Sequence, residues 1–61
     1  MKQTRYGVYA KRNSREKYTD WGEYKTVQDV DKQVRIIRSR NWMTKVVNKT
    51  TKEIIIDDDV M

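Results

Sequence analysis

The 61-residue sequence contains no cysteine and no histidine. Without cysteine there is no disulfide to staple so short a chain and no thiol nucleophile, and without either residue there is no zinc cluster. Without histidine there is no ordinary general base near neutral pH. Gly7 and Gly22 are the only glycines, too few for a phosphate-cradling loop. Ser14 and Ser39 are the only serines, and neither has a histidine to activate it. The chain is therefore expected not to be an enzyme and to need no cofactor and no metal.

Leucine and phenylalanine are missing too, and seven Val, five Ile and six Thr stand in their place. β-Branched side chains are stiff at χ1 and pack well on a pleated surface, so this usage leans toward sheet. Charged residues make up 38% of the chain, but Trp21, Trp42 and four tyrosines, with the branched residues, point to a folded domain. No apolar run approaches the ~18 residues of a membrane-spanning helix. No signal-peptide pattern stands at the start, and the expected location is cytoplasmic.

Charge is distributed unevenly. All 14 Lys and Arg fall in residues 1–52, for a net of +9, while Glu53, Asp57, Asp58 and Asp59 give residues 53–61 a net of −4. A basic body with an acidic end favours nucleic acid or an acidic protein surface as partner.

The chain reads as one domain over 1–57, followed by a short acidic tail, 58–61, expected to fray. In "TRYGVYAK" (4–11), Tyr6, Val8 and Ala10 alternate with Arg5, Tyr9 and Lys11, which predicts a strand. "KYTDWGEYK" (17–25) predicts a second strand bulged near Gly22. Thr26 is placed to cap a helix over about 27–39, with Val27, Val30, Val34 and Ile37 as its apolar stripe. "NWMTKVVN" (41–48) and "EIIID" (53–57) predict a second hairpin. The expected fold is α+β, ββαββ, a small four-stranded and mainly antiparallel sheet with one helix packed on one face.

Two acidic patterns are discounted. Asp20, Glu23 and Lys25 echo the acid, acid-X-Lys spacing of metal-dependent nucleases, but three residues of one bulged strand do not assemble such a site. Asp57–Asp59 reads as a solvated end that discourages edge pairing. "NKT" at 48–50 reads as a turn.

Two binding modes remain. Arg35, Arg38, Arg40 and Lys45, joined by Lys11 and Arg12, form a candidate phosphate-gripping surface for DNA or RNA, with tyrosines able to stack on bases. A non-enzymatic nucleic-acid-binding accessory or regulatory protein is the first expectation. The alternative is a protein-binding inhibitor or adaptor, of the kind common in small phage and mobile-element genomes. It would dock, or dimerise, through the sheet face that one helix leaves bare. Tyr9, Met43, Val47 and Ile55 are expected on that face, and Ile36 is expected on the outer side of the helix, nearly opposite Val27.

Overall fold

A helix that starts where the sequence supplies a cap organises the chain. The computed structural model describes residues 4–59. Thr26 holds extended backbone geometry and its hydroxyl accepts from the Asp29 N–H at 3.2 Å, opening α1 (Val27–Ser39). The helix ends at Arg40, whose N–H bonds to the Ile37 carbonyl, and Asn41 takes a positive φ of 60° that turns the chain toward the sheet. The strands are β1 (Tyr6–Lys11), β2 (Thr19–Tyr24), β3 (Met43–Asn48) and β4 (Glu53–Asp57). The fold is α+β with element order ββαββ, as the apolar periodicity implies.

The sheet order is β2-β1-β3-β4, with every neighbouring pair antiparallel. β2 and β3 therefore run in the same direction on either side of β1, and α1 bridges over β1 to join them. Val8 and Ala10 of β1 stand opposite Val46 and Thr44 of β3, and all four are fully buried. Val30, Val34 and Ile37 of α1 close on them to complete the core. At roughly 25 cal/mol per Å² of apolar surface, so small a core leaves modest net stability. The Thr44 hydroxyl lies inside it with no hydrogen-bond partner among the described residues.

Each edge strand carries a bulge that changes which side chains reach the helix. In β2, Val8 faces Gly22 and Tyr9 faces Asp20, so Trp21 is the extra residue. Trp21 packs against the core and donates from Nε1 to the Gln33 amide oxygen of α1 at 3.0 Å. In β4, Val46 faces Ile56 and Val47 faces Ile54, so Ile55 is the extra residue. Simple alternation places Ile55 on the bare face with Val47. The bulge corrects this, putting Ile54 opposite Val47 and turning Ile55 to the helix side, beside Val27 and Val34.

The helix meets the two bulges unequally. It rests on β1 and β3 and reaches β2, whereas no α1 Cα lies within 8 Å of a β4 Cα. β4 is thus an edge strand on which Glu53, Ile54 and Ile55 are exposed, while Ile56 packs against the core.

The acidic end differs from its expected fraying at the two positions that are described. Asp58 N–H donates to the Thr44 carbonyl at 3.1 Å, and Asp58 Oδ2 accepts from the Thr44 N–H at 3.0 Å, extending the β3 ladder by one residue. Asp59 Oδ2 lies 2.8 Å from Lys11 Nζ. The rest of the expected tail, residues 60 and 61, lies outside the described residues.

Candidate binding surfaces

The six cations expected to grip phosphate do not form one surface. Arg35 pairs with Asp31 at 3.1 Å and Arg12 with Glu16 at 2.9 Å, both at i,i+4. Arg38 pairs with Asp58 at 3.1 Å, on the side of α1 that faces β4. Lys11, expected to ring the bare face in solvent, is only 4% exposed and lies under Asp59 and the Tyr18 ring. Arg40 and Lys45 make no ion pair among the described residues. The Arg40 guanidinium sits 5.7 Å and 5.8 Å from the ring centroids of Trp21 and Trp42. Those rings meet edge to face at 6.1 Å, which makes a half-buried cation–π cluster beside the helix end.

Tyr18 organises the opposite, bare side of the same end. Its hydroxyl donates to Asp57 Oδ1 at 3.1 Å, Lys11 Nζ lies 4.5 Å from its ring centroid, and Lys45 Nζ lies at 5.7 Å. Burial, then the hydrogen bond to the Asp57 carboxylate, pushes the phenol up to about 12. At the far end of this face, Lys49 Nζ donates to Glu23 at 2.8 Å and Arg5 donates to the same carboxylate at 3.3 Å. The bond from Lys49 is the main reason the Glu23 carboxyl lies below its ordinary range, and Glu23 in turn raises Lys49.

These two clusters stand at the two ends of the bare face. The Lys49 stem and the Tyr9 ring lie over Gly7, where an added Cβ would meet them at 2.6 Å and 3.2 Å. Tyr9, Met43 and Val47 are half-buried rather than open. Ile36 is exposed on the outer side of α1, away from the other four residues expected to bind a partner.

The open apolar surface lies instead at β4. Val27 is 65% exposed, Ile54 58% and Ile55 52%. Between α1 and β4 runs a groove of about 240 Å³, floored by Tyr6, Val30, Val46 and Ile56 and rimmed by Asp31 and Arg38. Val27 and Ile54 are the two residues of this surface that sequence reasoning did not select. Val27 carries the same i, i+3 signal as the buried Val30, so its exposure follows from the missing helix–β4 contact. Among the described residues, no group of three or more His, Cys, Asp or Glu is placed to hold a metal ion, and no helix is long and apolar enough to cross a membrane.

No family model matches the chain, and no curated protein or solved structure matches it.

Proposed function

We propose that the protein is a non-enzymatic protein-binding module that captures an extended segment of its partner as a fifth strand on β4. The observation that carries this reading is β4 itself, an edge strand with exposed isoleucines toward both faces and an apolar groove beside it. A free strand edge offers a row of backbone donors and acceptors, and alternate side chains of an added strand find pockets on either side. The groove takes an aliphatic side chain from the added strand, and Ile54 takes one on the opposite face.

Charge selects the chemistry of the occupant. β4 reads Glu-Ile-Ile-Ile-Asp, with acids at both ends and no cation between them. A second copy of β4 would bring acid to acid, which is destabilising across a strand pair, so self-pairing is disfavoured. An aliphatic strand flanked by Lys or Arg is the complement. Four of the six candidate phosphate-binding cations are already paired with carboxylates, so the chain presents less free positive surface than its composition implies.

A direct test titrates the chain with two synthetic peptides of alternating Val and Thr, one flanked by lysines and one by glutamates, while backbone NMR signals are recorded. The lysine-flanked peptide should shift Ile54, Ile55 and Ile56 and the glutamate-flanked one should not, with the chain remaining monomeric by light scattering. No shift in β4, an equal response to both peptides, or a dimer abolished by Ile54→Lys would remove this reading.

A further inference from the structure

We propose that the β2-side flank of α1, where Lys32, Ile36 and Arg40 recur at every fourth residue, docks an acidic helix of a partner protein with carboxylates on either side of an aliphatic residue. The surface lies across α1 from the β4 groove, and its existence does not depend on the strand-capture reading.

Trp21 fixes which flank this is. Its Nε1–H donates to the Gln33 amide at 3.0 Å, which places Gln33 on the β2 side of the helix. Ile36 and Arg40 follow three and seven residues later along that side, and Lys32 stands one turn before Ile36. Val27, Asp31 and Arg38 line the groove on the other side. Ile36 is 42% exposed, with Lys32 and Arg40 exposed before and after it. The stripe from Lys32 to Arg40 spans about 12 Å of helix.

The cations of α1 differ in what they hold. Arg35 is paired with Asp31 and Arg38 with Asp58. Lys32 and Arg40 have no carboxylate partner among the described residues. Arg40 is nonetheless held in place, its guanidinium 5.7 Å and 5.8 Å from the Trp21 and Trp42 ring centroids. A guanidinium steadied by rings and left without an anion gives up little freedom when it takes a carboxylate. Trp and Arg are also the residues that most often carry binding energy between proteins. Asp29, in the first turn, ends the basic stretch and confines the complement to Lys32–Arg40.

The surroundings select an acidic helix over other occupants. Trp21 is the bulged residue of β2, and a bulge discourages an edge from pairing with a further strand. This side therefore does not repeat the strand pairing offered by β4. The cation, aliphatic and cation positions form an i±4 ridge, which packs against the matching ridge of a second helix. Nucleic acid would use Lys32 and Arg40 but gain nothing from Ile36. The two indole rings, packed on the core and covered by Arg40, are poor platforms for a base.

The test is an NMR titration with two stapled helical peptides of identical composition. One carries Glu, Leu and Glu at successive fourth positions, and the other scatters the same residues around the helix. The ordered peptide should move the backbone signals of Lys32, Ile36 and Arg40 and the indole N–H signals of Trp21 and Trp42. The scattered peptide should not. Ile36→Ser and Arg40→Gln, both at exposed positions, should each weaken binding by roughly fivefold or more. Lys52→Gln, at an exposed cation between β3 and β4, should change it by less than about twofold. No shift at about 1 mM peptide, an equal response to both peptides, or a Lys52→Gln loss as large as that of Arg40→Gln would overturn the proposal. So would an oligothymidylate strand that moves the same signals and displaces the ordered peptide, which would assign the flank to nucleic acid. Strand capture is read from Ile54–Ile56 instead, so failure of one leaves the other standing.

Discussion

Removing the Asp58 side chain should cost this domain a large part of its stability, although composition alone reads it as solvated tail. Asp58→Ala leaves the Asp58 N–H to Thr44 carbonyl bond intact but takes the acceptor away from the Thr44 N–H. Thr44 is fully buried, so that N–H has no route to water, and an orphaned buried donor costs about 1–3 kcal/mol. The Arg38 pair, half open to solvent, adds roughly 0.2–1 kcal/mol. The expected loss is about 2–3 kcal/mol, against a total stability of about 5 kcal/mol for a core this small. Asp58→Asn keeps an amide oxygen for Thr44 and should lose only about 0.5–1 kcal/mol, as should Arg38→Ala. Urea unfolding followed by Trp21 and Trp42 fluorescence measures all three, and added salt should erode the Arg38 contribution while leaving the Thr44 one. An Asp58→Ala loss below about 0.5 kcal/mol, or an Arg38→Ala loss as large as that of Asp58→Ala, would show that the Asp58 carboxylate does not stabilise the fold through the Thr44 N–H.

Three other perturbations probe the core and its edges. Thr44→Val removes the unpartnered buried hydroxyl with little change of shape and should raise stability by about 1 kcal/mol in urea melts. Gly22→Ala should destabilise by roughly 1–3 kcal/mol, because φ is +158° there and the new Cβ would lie 2.6 Å from the Tyr24 hydroxyl. Gly7→Ala meets mainly the flexible Lys49 stem and should show a smaller drop in thermal midpoint. Tyr18 has a folded-state pKa of about 12 against an ordinary value of 10.0, so the fold holds its proton more tightly than the unfolded chain does. Its contribution should be complete below pH 10 and fade as pH rises toward 12, and Tyr18→Phe should flatten that stretch of the stability–pH curve.

How much of this was visible in the residues depends on what kind of information each feature carries. The helix follows from Thr26 and the spacing of Val30, Val34 and Ile37, because cap and period are local properties. The inward set of β1 and β3 follows from alternation, because neither strand is bulged on the side where they meet. Alternation fails at Trp21 and Ile55, where a bulge inserts one residue, and three consecutive isoleucines give no sign of which one is extra. The sheet order is likewise hidden, since Val8 and Val46 look equally buried whichever strands flank them. The cations were identifiable as residues but not as a surface: their partner Asp31 is set by helix geometry, Glu16 by the turn between β1 and β2, and Asp58 and Asp59 by tertiary placement. The acidic end is the plainest case. Three aspartates in a row read as solvent-facing until the fold brings Tyr18, Thr44 and Lys11 to them.

β4 and its groove are proposed to receive an extended strand of another protein. The most direct measurement places a photo-crosslinking amino acid singly at Val27, Ile54, Ile55, Ile36 and Val47 and irradiates each variant in native host extract, with and without nuclease. Adducts to one protein at Val27, Ile54 and Ile55, unchanged by nuclease and accompanied by slowed amide exchange along β4, are the predicted result. Adducts concentrated at Ile36 or Val47, adducts lost on nuclease treatment, or adducts only between copies of the chain would contradict it.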